Sequence, residues 1–96
     1  MMPLQFTPAA SADLDEILDF IAKDRPHTAV QVIETIRKQC EILQSYPEMG
    51  QAYPEFGTDI RGIPQQRWMI FYRIKINSVQ ILRILDGARH IDLLFD

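Results

Sequence analysis

The sequence predicts an α+β fold in which a helical hairpin packs on one face of a small, mostly antiparallel sheet. Residues 67–75 form the densest apolar run of the chain, rich in β-branched and aromatic residues. A second such run, residues 79–85, follows the polar pair Asn77-Ser78, and the two runs predict a β-hairpin. Two stretches of helical periodicity precede them. Helices that are separate from the strands along the chain favour α+β, in the order β-α-α-β-β-β.

The first helix is predicted from its start signals. Residues 4–6 form a short strand, after which Thr7 is placed to cap a helix whose first position is Pro8, where a missing N–H is harmless. Apolar residues at helical spacing define its buried face: Ala10, Leu14, Ile17, Leu18 and Ile21. Its acidic residues are expected mostly on the other side, where the helix dipole also favours them: Asp13, Asp15, Glu16 and Asp19.

A second helix starts at Pro26 and is ended by Pro47. Its regular apolar stripe consists of Ala29, Ile33, Ile36, Cys40 and Leu43. The short connection makes the two helices antiparallel neighbours. Prolines and glycines in residues 46–57 indicate an irregular loop. Residues 59–63 are expected to form a short strand that Pro64 ends, and Gly87 ends the hairpin. Residues 88–96 are expected to form a helical turn or an edge strand.

The predicted hairpin has two apolar faces, because side chains alternate along a strand. One face of its first strand carries Trp68, Ile70, Tyr72 and Ile74, and the other carries Arg67, Met69, Phe71 and Arg73. In the second strand the same alternation groups Val79, Ile81, Arg83 and Leu85. Two helices cover only one face, and an apolar patch rimmed by charge is typical of a partner site. Alternatively, strand twist and the C-terminal segment cover this patch, and the arginines are solvated or pair with Asp59, Asp86 and Asp92.

Composition narrows the class of protein. The chain has 96 residues, 47% hydrophobic and 24% charged, which is an ordinary globular composition, and we expect one domain over residues 1–96. The longest apolar run, residues 68–72, is far shorter than the ~20 residues of a membrane helix. We expect no signal peptide, and the single cysteine fits a reducing cytoplasm. The net charge of −3 disfavours generic nucleic-acid binding, although six of the ten basic residues lie in residues 58–96.

Residue types that support metal or nucleophilic chemistry are sparse. His27 and His90 lack a second ligand at zinc spacing, and Cys40 lies on the apolar stripe of a helix. Asp15 and Asp19 share a helix face, which is more typical of a solvated surface than of a metal site. No glycine-rich phosphate loop and no catalytic Cys/His pairing is visible. We therefore expect neither a metal nor a cofactor.

Several segments, in their order and spacing, resemble toxins of the RelE/ParE superfamily from bacterial type II toxin–antitoxin modules, and the ParE branch most. These segments are residues 6–10, 13–17, Ala29, 33–36, Leu43, Pro47 with Gly50, 60–61, 70–74 and 81–89. The resemblance covers nearly the whole chain and implies the same order of elements. It also implies a cognate, ParD-like antitoxin that wraps the toxin in a hetero-oligomer and covers apolar and arginine-bearing surface. Because the antitoxin usually carries the DNA-binding domain, no direct specific DNA binding is expected of this chain.

The activities of this superfamily divide. RelE-like members cut messenger RNA on the ribosome with arginines and a C-terminal Tyr or His, since the phosphorane-like transition state needs cations and the 2′-OH must lose a proton. ParE-like members instead poison DNA gyrase. Here Met69 stands where an RNase arginine is expected, and Asp86 replaces the histidine usual before Gly-Ala-Arg. These departures favour a ParE-like gyrase inhibitor without catalytic residues.

The residues expected to contact the antitoxin or the target are Arg61, Arg67, Met69, Phe71, Arg73, Arg83 and Arg89. Two alternatives stay open. One is a ribosome-dependent endoribonuclease that uses Arg61, Arg67, Arg83 or Arg89 as phosphate ligands and His90 as acid or base. The other is a non-toxic relative that still binds an antitoxin.

Overall fold

A computed structural model describes residues 2–87 of the chain, in which two helices pack on a five-stranded sheet. The elements are β1 (Leu4–Phe6), α1 (Pro8–Ala22), α2 (Pro26–Ser45), a 3-10 turn (Pro47–Met49), β2 (Gln51–Ala52), β3 (Ile60–Gln65), β4 (Trp68–Ile74) and β5 (Val79–Asp86). The predicted α+β class and element order are confirmed, with the two-residue strand β2 in addition. The expectation for residues 88–96 lies outside the described residues.

Helix α1 is fixed to the sheet through its N-cap residue, Thr7. The Thr7 hydroxyl accepts a hydrogen bond from the N–H of Ala10 at 3.0 Å and donates to the carbonyl of Leu82 at 2.8 Å. The Thr7 N–H also donates to the carbonyl of Ile81 at 3.0 Å. The predicted cap is therefore confirmed, and it joins the start of α1 to β5 as well.

The sheet order is β1-β5-β4-β3-β2, and only β1 and β5 run parallel. The β4–β5 pair contains a β-bulge, because Tyr72 lies opposite Ile81 whereas Phe71 lies opposite Arg83. Leu82 is the additional residue. The bulge overturns the alternation predicted for β5: Ile84, and not Arg83 or Leu85, joins Val79 and Ile81 in the helix-side core.

The prediction that Pro64 ends its strand is wrong, since β3 continues to Gln65. The N–H of Tyr53 donates to the carbonyl of Ile60 at 2.9 Å, so the backbone groups of Ile60 point towards β2. Successive residues of a strand direct their backbone groups to opposite sides. The backbone groups of Pro64 therefore point the same way as those of Ile60, away from β4. Strand β2 pairs only with Arg61 and Gly62, so Pro64 lies at the free edge, where a missing N–H disturbs no ladder.

The main core lies between the helices and the sheet. The predicted helix-side residues Trp68, Ile70 and Tyr72 are all buried there, with Ile74 packed at the margin. From the helices it receives Ala10, Leu14, Ile17, Ile36, Cys40 and Leu43. Within residues 2–87, neither helix combines the length and the hydropathy that a transmembrane span requires.

The second face of the sheet is covered in its middle by the loop between β2 and β3. Phe71 is 1% exposed, and its ring meets those of Tyr53 and Phe56 edge-on at centroid distances of 5.4 and 5.6 Å. Gly62 makes this contact possible, because a Cβ there would lie 2.8 Å from the Tyr53 ring. The face expected to be open to a partner is therefore partly closed by the chain itself, with Met69 and Leu82 half-buried beside this aromatic cluster.

We expect ionisation of the Cys40 thiol to lower the free energy of unfolding at high pH. Burial raises its pKa to about 12, so the folded protein keeps the proton after the unfolded thiol, with a pKa of 9.0, has lost it. The corresponding stability is present below pH 9 and is lost as the pH rises towards 12. In urea unfolding at about pH 8 and about pH 11, the wild type should lose more stability than Cys40→Ala, by up to about 1.4 kcal/mol per pH unit. Equal losses in the two proteins would contradict this assignment.

Candidate partner-binding surface

Asp13, which was expected to face solvent, is instead 6% exposed and joins α1 to β5. Its Oδ2 accepts hydrogen bonds from Arg83 Nε at 2.8 Å and from the backbone N–H of Ile84 at 2.9 Å, and its Oδ1 accepts one from Arg83 Nη2 at 2.9 Å. These hydrogen bonds raise the pKa of Arg83 above its ordinary value. Strand β1 pairs only with residues 79–81 of β5. Beyond them, the Asp13 carboxylate accepts the hydrogen bond of the Ile84 N–H, which β1 does not reach.

A groove opens between the second half of α1 and the end of β5, and we call it the α1–β5 groove. Its volume is about 460 Å³. It is lined by the apolar residues Ile17, Phe20, Trp68, Ile84 and Leu85 and by the charged residues Asp13, Glu16, Arg67, Arg83 and Asp86. Phe20 is 66% exposed although it is aromatic. The groove thus combines apolar surface with charges of both signs.

Arg67 forms the outer wall of this groove. Its guanidinium lies 5.0 Å from the centroid of the Trp68 ring and forms an ion pair with Asp86. A neighbouring depression of about 610 Å³ is lined by these three residues together with Gln66, Met69 and Gly87. The two depressions therefore form one continuous surface at the start of β4 and the end of β5.

The seven residues predicted to bind a partner do not form one cluster. Arg67, Met69 and Arg83 lie along this surface, whereas Phe71 is buried beneath the aromatic loop. Arg73 lies towards the other end of β4, with its Nε buried, without a hydrogen-bond partner and 3.7 Å from Asp59. Arg89 lies outside the described residues.

Arg61 belongs to a separate polar network on the helix side of the sheet. Its Nη1 donates to the carbonyls of Gly50 at 2.9 Å and Glu48 at 3.3 Å. The neighbouring Tyr72 hydroxyl donates to the carbonyl of Pro47 at 2.6 Å and accepts from the N–H of Gly50 at 2.8 Å. Burial raises the pKa of Tyr72, so this hydroxyl stays protonated. The network fixes the turn after α2.

Of the ten residues that line the groove, the sequence predicted only Arg67 and Arg83 as partner contacts. Asp13 was placed among solvated carboxylates, and Trp68 was assigned to the core alone. Phe20 carried a usable signal, because it lies between Asp19 and Ile21 and outside the apolar stripe of α1. An aromatic residue on the polar side of an amphipathic helix indicates a contact beyond the domain core.

The groove is suited to binding. Arg83 and Arg67 each form an ion pair with a carboxylate of the same chain, as Asp13 and Asp86 supply the partners. Among residues 2–87, no three His, Cys, Asp or Glu side chains come together in a way that could hold a metal ion. Exposed aromatic surface next to an arginine is the composition typical of energetically important contacts between proteins.

Comparison with known proteins found matches that cover most of the chain. Residues 4–91 match the family model described as the ParE toxin of the type II toxin–antitoxin system parDE. Among solved structures, the chain is similar to the chromosomal ParDE TA system from P. aeruginosa, with 30% identity, a TM-score of 0.78 and coverage of 90% of this chain and 96% of that one. The conserved hypothetical protein HP0894 from Helicobacter pylori aligns at 12% identity, with a TM-score of 0.49 and coverage of 93% of this chain and 98% of that one. No curated protein matched the chain.

Replacing Asp13 should destabilise the fold. Asp13→Ala leaves the partly buried Arg83 without its carboxylate and the N–H of Ile84 without an acceptor, so we expect a loss of about 2–3 kcal/mol in the free energy of unfolding. Asp15→Ala, an exposed carboxylate of the same helix, should change it by less than about 0.5 kcal/mol. Urea titration of both variants tests the assignment, and similar losses in the two would rule out a special role for Asp13.

Proposed function

Since the chain belongs to the ParE family of type II toxin–antitoxin toxins, we propose that it stops bacterial growth by binding DNA gyrase and that a cognate, ParD-like antitoxin neutralises it. The toxin acts in the cytoplasm, where its target lies. It carries out no chemistry of its own, and binding alone blocks the target.

The observation that supports this proposal is that three arginines already have partners within the chain. A nuclease of the related RelE type needs arginine side chains directed at phosphate oxygens, where charge develops in the transition state. Arg61 binds backbone carbonyls, Arg67 pairs with Asp86, and Arg83 is held by Asp13. All three guanidinium groups already have partners within the chain, which supports binding over catalysis.

The α1–β5 groove is the surface that we assign to partners. Phe20, which is 66% exposed, offers an aromatic anchor, and Arg67, with 61% of its side chain exposed, supplies a charge at the rim. Such residues dominate the free energy of many protein interfaces. Trp68 also lines the groove, but it is buried, with an exposure of 8%. The antitoxin neutralises the toxin by covering this surface. Met69 extends the contact at the start of β4, and Phe71 supports Met69 from within the aromatic cluster that it forms with Tyr53 and Phe56. Arg73, towards the other end of β4, stays a predicted partner contact.

Induced expression of the chain should arrest growth with loss of DNA supercoiling. Purified chain should inhibit supercoiling of a relaxed plasmid by DNA gyrase, and primer extension on ribosome-bound transcripts should show no new cuts. Cut transcripts with normal supercoiling would instead identify an endoribonuclease. An absence of any growth effect would identify a non-toxic relative.

Phe20→Asp should weaken gyrase inhibition at least about tenfold, because it places a charge on the aromatic anchor of the groove. The fold should tolerate this change, since Phe20 is 66% exposed. Val30→Asp is the matched control, because Val30 is 53% exposed and lies outside the groove. The half-inhibitory concentration in the supercoiling assay is the readout. An unchanged value for Phe20→Asp would remove the groove from the target interface.

A further inference from the structure

A second apolar surface lies at the opposite end of β4 from the α1–β5 groove. We call it the end patch, and it consists of Tyr46, Met49 and Ile76 with Ser45 and Pro47 between them. The three large side chains are 67%, 46% and 96% exposed. Two shallow depressions, of about 810 and about 500 Å³, share Ser45 and Pro47 and make the patch continuous. Contiguous exposed apolar surface of this kind marks an interaction site more often than isolated exposed residues do.

Ile76 has no role in the fold that would explain its position. It lies in the β4–β5 turn, which the N–H of Lys75 closes by donating to the carbonyl of Ser78 at 2.8 Å. Tight turns favour polar residues and glycine, and Asn77 and Ser78 follow that preference. A β-branched apolar side chain in almost full contact with water instead gains stability only when another surface covers it.

The other half of the end patch is held rigidly. The turn that carries Met49 is fixed by the hydrogen bonds of the Tyr72 hydroxyl to Pro47 and Gly50 and by those of Arg61 to Glu48 and Gly50. A preorganised surface loses little conformational freedom on binding. This polar network therefore supports the presentation of Tyr46 and Met49 as a fixed platform.

The charges beside the end patch point to its occupant. Glu48 follows Tyr46 and Pro47 on one side, Lys75 precedes Ile76 on the other, and both are exposed. In a two-fold contact the same patch faces itself, so it must carry complementary groups on its two sides. We propose that the end patch is the interface of a homodimer, in which the apolar side chains pack together and Glu48 of each copy faces Lys75 of the other.

This dimer does not depend on the proposed function. The α1–β5 groove lies at the Trp68 end of β4, whereas the end patch adjoins its Ile74 end. Both grooves of the dimer therefore remain accessible, and one dimer presents two of them. A patch built from three large side chains is small for an interface, so we expect a weak dimer.

Sedimentation velocity of the purified full chain tests this proposal. Between about 1 µM and about 500 µM, the weight-average mass should rise from that of one 11.2 kDa chain towards that of two. Ile76→Asp should raise the dimer Kd at least about tenfold. Val30→Asp, an exposed apolar residue outside the patch, should leave it unchanged. Far-UV circular dichroism and the fluorescence of Trp68, the single tryptophan, verify the fold of each variant.

A charge exchange tests the two-fold arrangement. Glu48→Lys and Lys75→Glu should each weaken the dimer several-fold, and the double variant should recover most of the wild-type affinity, because the pair is restored with its signs exchanged. A wild type that stays monomeric at the highest concentration overturns the proposal. So does an Ile76→Asp variant that dimerises normally, or a Val30→Asp variant that loses the dimer equally. A double variant as weak as the single ones overturns the Glu48–Lys75 contact.

Discussion

The Asp13 carboxylate accepts two hydrogen bonds from the Arg83 guanidinium and one from the backbone N–H of Ile84, across 70 residues of sequence. Strand β1 pairs with β5 only as far as Ile81, and beyond that residue α1 takes over the edge. Together with the Thr7 cap, the carboxylate therefore fixes α1 against β5. Ile17 and Phe20, one and two turns further along α1, then form one wall of the α1–β5 groove, with Trp68 and Ile84 opposite. Losing Asp13 would take this carboxylate from the partly buried Arg83 guanidinium and the acceptor from the N–H of Ile84.

The same ion pair limits the chemistry open to this toxin. The Arg83 guanidinium is already bound to Asp13 through Nε and Nη2. Its N–H groups are therefore less available to bind a phosphate group. Arg67 and Arg61 are likewise engaged, by Asp86 and by backbone carbonyls. Exposed aromatic surface remains at Phe20, beside the buried Trp68. This distribution suits a protein that acts by occupying a partner, as we propose for gyrase and for the antitoxin.

Local signals predicted the order of the elements. Thr7, Pro8 and Pro26 mark helix starts through their own backbone chemistry, and apolar periodicity identified the core faces of α1, α2 and β4. Features that depend on distant partners were not predictable. Nothing in α1 distinguishes Asp13 from its solvated acidic neighbours until Arg83 is placed beside it. The apolar pattern of β5 is compatible both with a regular strand and with a bulged one.

The loop over the second face was missed for a related reason. Tyr53 and Phe56 lie in a segment without periodicity, so no pattern revealed that they cover Phe71. Pro64 was read as a strand end because the sequence does not show which strands lie at an edge. Phe20 was the exception, since its position off the apolar stripe of α1 was visible in the sequence. The interaction surface is therefore partly encoded by residues that break the local pattern.

Hydrogen exchange of the chain with and without purified DNA gyrase is the most direct test that the α1–β5 groove is where this toxin binds its target. The account predicts added protection in the peptides that contain Phe20, Trp68 and residues 84–86, with the turn at Ile76 unchanged. Protection confined to the Ile76 turn and the segment around Met49, or no complex with gyrase at all, would contradict it.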